Sequence, residues 1–383
     1  MVRFSVIVLG GYGLFGSRIV RRLARERGWR IVVAGRDGTA AVKLCDALRR
    51  DQAVAATLVP LACDIHATGF CDVLQREGAR LVINTCGPFQ RQDYAIARAA
   101  LDADADYIDL ADARDYVAGF GALDDAARGG GRVAIAGAST VPGLSAAVVD
   151  HFVPAFAHLD AIDIGISPGN RTPRGLATVA AILGYVGRPL PWLEDHRRRT
   201  VAGWQSLRRH RYPAPAGTRW LAACDVPDLD LFPRRYAGLR ALRFRAGLEL
   251  KRLHLALWLL SWLVRAGLVR SLDRHARAMK SLSERFERMG GDAGAMHVEI
   301  EGFDRDGQPL GLRWQLVAEG GDGPEIPATA AVLLARKIAA GDVQLRGAMP
   351  CVGLFTLEEF LAALDGYAIK TSIERFQPRN RIA

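Results

Sequence analysis

The chain has 383 residues, of which 50% are hydrophobic and 24% are charged, a composition that excludes a disordered protein and fits two domains. The formal net charge is +10, and the segment from His196 to Arg288 alone holds 21 Lys and Arg against 7 Asp and Glu. A negatively charged partner or substrate is therefore expected at that segment.

Six cysteines are scattered along the chain, with no CxxC pair and no histidines at zinc-ligand spacing. That pattern predicts no metal site and is typical of a reducing compartment. The N-terminal residues lead directly into an apolar run and lack the design of a signal peptide. We therefore predict a cytoplasmic location, with a peripheral position at the inner membrane face as an alternative.

The first 150 residues alternate between short apolar runs and stretches with helical spacing. The runs predict strands at Phe4–Leu9, Arg30–Ala34, Thr57–Ala62, Leu81–Thr85, Tyr107–Ala111 and Arg132–Ala136. Helices are predicted at Leu14–Arg27, at 39–50 and in the Ala-rich segments between later strands. The alternation predicts an α/β domain over residues 1–150, a Rossmann-type doubly wound parallel sheet that binds its ligand at the carboxyl ends of the strands.

After residue 150 the pattern becomes that of an α+β domain. Asp160–Ser167 predicts a strand and Arg174–Val186 a helix, followed by an irregular Pro- and Arg-rich stretch to about Arg245. Met296–Phe303 and Leu310–Ala318 predict a hairpin. We predict a substrate or dimerisation domain over residues 151–340. A C-terminal segment over residues 341–383 is expected to be helical and to pack back on the first domain.

One segment of the second domain is both apolar and basic. In residues 251–265, twelve apolar or weakly polar residues stand between lysine and arginine, too few to span a bilayer. Two interpretations stay open, a buried helix at the core or at a dimer interface, and a peripheral contact with an anionic membrane. No nucleic-acid-binding motif is present, so we predict no nucleic-acid partner.

The first predicted strand ends in a glycine-rich sequence. It reads Gly10, Gly11, Tyr12, Gly13, Leu14, Phe15, Gly16, and a helix is predicted behind it. Glycines allow the tight turn and the close approach of main chain to a pyrophosphate, whose charge the helix N-terminus stabilises. This context predicts a dinucleotide-binding loop with GxxGxxG spacing.

Polar residues follow the next three strands, where a dinucleotide would be held. Arg36 follows the second strand and favours NADP, because an arginine can bind the 2′-phosphate; the neighbouring Asp37 keeps NAD open as an alternative. Asp64 follows the third strand and could accept a hydrogen bond from the adenine. The sequence Asn84, Thr85, Cys86, Gly87, Pro88 follows the fourth and is expected to line the nicotinamide ribose.

These motifs together resemble the saccharopine dehydrogenase-like oxidoreductases, specifically their NADP-binding domain. The resemblance includes Tyr107-Ile-Asp109 and the small-residue sequence from Gly137 to Ser145, and it is weak in the middle of the chain. It implies a two-domain dehydrogenase or reductase, often a homodimer, with the Pro142 loop beside the nicotinamide. The family often has a glutamate after the Tyr-Ile-Asp strand; in this chain that role either falls to Asp112 or is absent.

Hydride transfer requires positioning and a proton donor from the protein. The catalytic candidates are Asp109, Asp112 and Ser139, without an assigned general acid; the substrate-binding candidates are Pro142, Asn170, Arg171, Thr172 and Arg174. We predict an NADP-dependent oxidoreductase acting on a C=O, C=N or activated C=C bond of a small-molecule or lipid-like, amphipathic substrate. The alternative is a non-catalytic nucleotide-binding protein associated with lipid or membrane.

Overall fold

The computed structural model describes residues 3–342 and 345–378, and the chain falls into two units. The first unit comprises Met1–Leu144 and Glu325–Ala363, and the second comprises Ser145–Pro324 and Leu364–Ala383. Each unit is built around one β-sheet.

The N-terminal part of the first unit alternates strands and helices, as predicted. Its strands are β1 (Phe4–Leu9), β2 (Trp29–Gly35), β3 (Thr57–Ala62), β4 (Leu81–Asn84), β5 (Asp106–Asp109) and β6 (Val133–Ala136). Its helices are α1 (Gly16–Leu23), α2 (Gly38–Arg49), α3 (Phe70–Arg76), α4 (Ala95–Asp102), α5 (Arg114–Ala118) and α6 (Asp124–Gly129). Every residue of β1 and β4 is buried, which explains why these strands read as continuous apolar runs.

The second unit begins with helix α7 (Ser145–Phe152) and is organised around a mixed sheet. Its further strands are β7 (His158–Ser167), β8 (Pro189–Glu194), β9 (Arg197–Ala202), β10 (Arg208–Arg211), β11 (Thr218–Ala223), β12 (Ala241–Ala246), β13 (Gly294–Phe303) and β14 (Pro309–Ala318). Its further helices are α8 (Leu176–Tyr185), α9 (Asp228–Arg235), α10 (Lys251–Arg265) and α11 (Ala276–Glu284).

The remaining elements are divided between the two units. They are α12 (Glu325–Ala340), β15 (Gly347–Pro350), α13 (Leu357–Ala362) and β16 (Ile369–Phe376). The first sheet is parallel, in the order β15-β6-β5-β4-β1-β2-β3, so the chain crosses over at β1. The second sheet runs β10-β11-β12-β7-β13-β14-β16, with the β8–β9 hairpin added at β12. The α/β class with a second α+β unit is therefore confirmed.

The C-terminal prediction differs from the structure in two ways. The segment 341–383 was expected to be helical, but among its described residues only α13 is an α-helix, while β16 pairs antiparallel with β14; residues 343–344 and 379–383 lie outside the described residues. Helix α12, predicted as part of the second domain, belongs to the first unit because it packs on α1. The buried Arg22 of α1 donates to Thr329 Oγ1 of α12 at 2.7 Å.

The stretch from about residue 187 to Arg245 is not irregular as predicted. It contains β8 to β12 and α9, whose alternating charged residues form ion pairs across the sheet. Arg243 of β12, for example, pairs with Glu194 of β8 at 3.0 Å. Arginines at these positions hide the hydrophobic alternation that normally predicts strands.

Helix α10 coincides with the predicted apolar and basic segment. It buries His254, Leu257 and Ser261 and exposes Trp262 and other apolar side chains. Among the described residues no helix is long and apolar enough to cross a membrane.

Candidate functional site

The glycine-rich loop forms a tight turn between β1 and α1. The N–H of Gly13 donates to the carbonyl of Gly10 at 2.8 Å, and Gly16 lies so close that a Cβ there would be 2.2 Å from the same oxygen. Within the described residues, the main-chain N–H groups of Tyr12, Leu14 and Phe15 have no acceptor. Free amides before a helix N-terminus fit an anion such as a pyrophosphate, so the loop has the chemistry that the sequence predicts.

The next strand end is organised by Tyr12. A Cβ at Gly35 would lie 2.5 Å from its ring, so the tyrosine lies directly over the end of β2. The Tyr12 hydroxyl accepts a hydrogen bond from the N–H of Asp37 at 2.8 Å. The tyrosine therefore links the glycine-rich loop to the β2–α2 turn that carries Arg36.

Arg36 and Asp37 have different roles at this turn. Asp37 is the N-cap of α2, and its Oδ1 accepts from the N–H of Ala40 at 3.0 Å. Arg36 is exposed, and no ion pair with a carboxylate is found for it in the described part of the chain. Burial raises the pKa of the Cys86 thiol to about 11, and the nearby positive charge of Arg36 limits that rise. Among the described residues of this turn, Arg36 is thus the cation without an ion pair, while the carboxylate of Asp37 caps helix α2.

A cavity of about 480 Å³ lies beside the same turn. It is lined by Gly38, Thr39 and Val42 of α2 together with Pro60 and Ala62 of β3. Its lining is mostly apolar, which suits the face of a nucleotide base. Asp64 is exposed just beyond β3, and its Oδ1 accepts from the N–H of His66 at 3.0 Å.

The residues after β4 divide into a scaffold and an exposed turn. Asn84 is buried and holds the strand end, since its Nδ2 donates to the Tyr107 hydroxyl at 3.0 Å and its Oδ1 accepts from the N–H of Cys86 at 2.9 Å. The Thr85 hydroxyl donates to the carbonyl of Leu9 at 2.8 Å. Gly87 and Pro88 are exposed. The segment therefore lies against the glycine-rich loop, as the parallel pairing of β1 with β4 requires.

Asp109, at the end of β5, is completely buried. Its Oδ1 accepts from the N–H groups of Ala111 at 3.0 Å and Gly137 at 2.8 Å. Burial raises the pKa of this carboxyl to about 6, and the two amide hydrogen bonds and the nearby hydroxyls of Tyr116 and Tyr107 limit the rise. Asp109 thus joins the loops after β5 and β6, which is a positioning role.

The other two catalytic candidates also lie at these strand ends. Ser139 is buried, and its carbonyl accepts from the N–H of Leu144 at 3.2 Å in the turn that contains Pro142. Asp112 is partly exposed, and its Oδ1 accepts from Gln90 Nε2 at 3.1 Å. Of the three candidates, only Asp112 offers a carboxylate that solvent and small molecules can reach.

Two of the substrate-binding candidates, Asn170 and Arg174, form hydrogen bonds within the second unit. Asn170 is buried, its N–H donates to Glu249 Oε2 at 2.5 Å, and its Nδ2 donates to the carbonyl of Phe286 at 2.7 Å. Arg174 Nη2 donates to the carbonyl of Gly169 at 3.1 Å. The segment that also holds Arg171 and Thr172 precedes α8, which begins only at Leu176. The four residues therefore lie before α8, and their contact with a substrate stays a prediction.

Two buried clusters in the second unit have no clear signal in the sequence. Ser145 at the start of α7 donates to Asp228 at the start of α9, and burial raises the pKa of that carboxyl to about 7. His210 stacks on His297 with ring centroids 3.7 Å apart, close to Glu299.

The residue types of the histidine cluster can bind metals, but arginines surround its carboxylate. Its one carboxylate, Glu299, is ion-paired with Arg208 at 2.6 Å and with Arg313 at 2.9 Å. Two guanidinium groups this close oppose the binding of a cation, so we assign the cluster no metal.

The comparisons with known proteins agree with the first unit's geometry. Residues 6–135 match the model of the saccharopine dehydrogenase NADP binding domain. No curated protein has significant sequence similarity to the chain. The apo saccharopine dehydrogenase (L-Glu forming) of Saccharomyces cerevisiae has a similar fold, with a TM-score of 0.66, 12% identity, and coverage of 97% of this chain and 100% of that one.

Two further solved structures match with lower scores. One is a mutant meso-dapdh from Clostridium tetani E88, with a TM-score of 0.45, 11% identity, and coverage of 93% of this chain and 96% of that one. The other is the amine dehydrogenase of Mycobacterium smegmatis, with a TM-score of 0.45, 10% identity, and coverage of 91% and 94%.

The fold and the site define the class of NAD(P)-dependent oxidoreductases. Residues 6–135 match the saccharopine dehydrogenase NADP binding domain, the family that the sequence motifs resemble. The predicted homodimer, the peripheral membrane contact and the cytoplasmic location remain predictions.

Proposed function

We propose that this protein uses NADP(H) in preference to NAD(H) and transfers a hydride to or from a C=O, C=N or activated C=C bond. The observation that carries the cofactor preference is the division of roles between Arg36 and Asp37. An NAD-specific site needs a carboxylate free to accept from the ribose 2′-OH, and here Asp37 is the N-cap of α2. The exposed guanidinium of Arg36 is suited to a 2′-phosphate.

The residues of the first unit supply binding and orientation. The free amides of Tyr12, Leu14 and Phe15, with the N-terminus of α1, would hold the pyrophosphate, and the cavity bounded by Val42 and Pro60 would accept the adenine. The bound nicotinamide supplies or accepts the hydride. Asp109 fixes the loops after β5 and β6, and Asp112 is the partly exposed carboxyl that we propose for contact with the reacting group.

The cofactor preference is tested by Arg36→Ala, with Arg50→Ala as a matched control. Arg50 is also exposed but lies at the opposite end of α2. Losing one charge-assisted contact to phosphate costs about 1.5–3 kcal/mol, or about tenfold to a hundredfold in affinity. We expect Arg36→Ala to weaken NADPH binding by that factor, to leave NADH binding unchanged, and Arg50→Ala to change neither. Equal weakening of both nucleotides in Arg36→Ala would overturn the assignment.

A further inference from the structure

A second concave site lies in the second unit, formed by the C-terminal half of α10 and the β8–β9 hairpin. Its volume is about 710 Å³, within the range of small-molecule pockets. The apolar part of its lining includes Trp258, Trp262, Val201 and Leu207. The two indole rings lie edge to face, with centroids 6.2 Å apart, and form an aromatic wall.

The charged part of the lining is entirely positive. Arg188, Arg265 and Arg270 line the pocket, and no carboxylate does. None of the three guanidinium groups forms an ion pair with a carboxylate in the part of the chain that the structure describes. This contrasts with the arginines of β12, which pair with acidic residues across the sheet. Three unneutralised cations around an apolar wall favour a ligand that is anionic at one end and apolar at the other.

The site is held in place by its own hydrogen bonds. Arg265 Nη1 donates to Gln205 Oε1 at 2.8 Å, and Gln205 Nε2 donates to the Ser261 hydroxyl at 3.3 Å. Arg265 also lies over the ring of Trp262, 5.2 Å from its centroid. The loop that carries Gln205 has left-handed backbone at Trp204 (φ 63°) and Ser206 (φ 56°), a conformation that costs energy in non-glycine residues. These contacts hold Arg265 and Gln205 in the wall of the pocket.

We propose that this pocket binds a single-chain anionic amphiphile, with its carboxylate or phosphate at the arginines and its alkyl chain against the tryptophans. The site is distinct from the nucleotide loop and does not depend on the proposed cofactor preference. A bilayer is the other partner that α10 and the turn after it could meet, because Leu259 and Leu268 are 60% and 75% exposed outside the pocket. The concave shape, with arginines as its only charged lining residues, favours one bound molecule.

The test is calorimetric titration of the full chain with dodecyl phosphate below its critical micelle concentration, with dodecanol as the uncharged comparison. We expect dodecyl phosphate to bind with at least about tenfold higher affinity than dodecanol, and Arg270→Gln and Trp262→Ala each to weaken it by about fivefold or more. Arg252→Gln and Leu259→Ala are the matched controls, since both residues are exposed on α10 outside the pocket. Circular dichroism spectra and thermal melts of all four variants verify that the chain is folded.

Other results would overturn the proposal. Equal affinity for dodecanol, or dodecyl phosphate binding that survives both pocket substitutions, would mean that no anion-specific pocket exists. The source of the ligand is distinguished by co-sedimentation with phosphatidylcholine vesicles with and without phosphatidylglycerol. Binding to anionic vesicles alone, lost in Leu259→Ala and kept in Arg270→Gln, would replace the pocket with a membrane contact. Failure here would leave the NADPH results unaffected.

Discussion

Replacing Asp109 by asparagine tests how much stability the chain loses when this buried carboxyl ionises. The asparagine Oδ1 can still accept from the N–H groups of Ala111 and Gly137, while its Nδ2 takes the place of the oxygen near the tyrosine hydroxyls. Asp109→Asn should therefore keep the loops after β5 and β6 in place. It removes a carboxyl that is costly to ionise when buried.

The size of the effect follows from the pKa of Asp109. Because burial raises it to about 6, the folded chain retains a proton that the unfolded chain loses near pH 4. Wild-type stability therefore falls as pH rises through that interval and levels off above it. The total is about 3 kcal/mol, of which about 2 kcal/mol falls between pH 4.5 and pH 8. Asp109→Asn lacks this loss, so its stability relative to wild type should increase by about 2 kcal/mol over the same interval.

Urea unfolding followed by circular dichroism at pH 4.5, 5.5, 6.5 and 8 measures this difference. Asp109→Ala provides the contrast, because it leaves two buried amides without an acceptor and should be about 1–3 kcal/mol less stable than Asp109→Asn at every pH. A wild-type-to-Asn difference that does not change with pH would refute the reasoning. So would an Asp109→Asn variant as unstable as Asp109→Ala.

Three further predictions concern single residues. Gly16→Ala places a Cβ 2.2 Å from the Gly10 carbonyl oxygen and should weaken NADPH binding by at least about tenfold in a chain that still folds. Unchanged binding would show that the glycine-rich loop does not bind the nucleotide. Asp228→Asn should stabilise the chain relative to wild type by about 2–3 kcal/mol more at pH 8 than at pH 5, because the raised pKa makes the wild-type carboxyl costly to ionise. Thermal melts whose difference from wild type does not change with pH would contradict this. Asp37→Ala should lower stability by about 1 kcal/mol through loss of the N-cap of α2 and should leave the nucleotide preference unchanged. A gain in selectivity for NADPH over NADH on titration would show instead that Asp37 contacts the ribose.

The cofactor unit could be predicted from sequence because its signals are local. The glycine-rich loop, the strand before it and the helix after it are neighbours in the chain, and parallel strands bring Arg36 and Asn84 to the same sheet edge. The structure adds what spacing cannot show. The hydroxyl of Tyr12 orders the β2–α2 turn, and the side chain of Asp37 is already engaged.

The second unit was harder to predict because its contacts are distant in sequence. Arg243 is buried and pairs with the partly exposed Glu194, so a pattern that assigns charged residues to the exposed face of a strand misplaces this arginine. Asn170 appeared to be free for a ligand, but Glu249 and Phe286 use its donors. The α12 helix joins the first unit through contacts such as Arg22–Thr329, which no local pattern reveals.

The most direct test of the central claim is calorimetric titration of the wild-type full chain with NADPH and with NADH at the same ionic strength. The account predicts saturable binding of NADPH with an affinity at least about tenfold higher than that for NADH, since one guanidinium–phosphate contact supplies that difference. Equal affinities, or tighter binding of NADH, would contradict the assignment of Arg36. Failure of both nucleotides to bind would contradict the nucleotide site itself and favour a non-catalytic role for the chain.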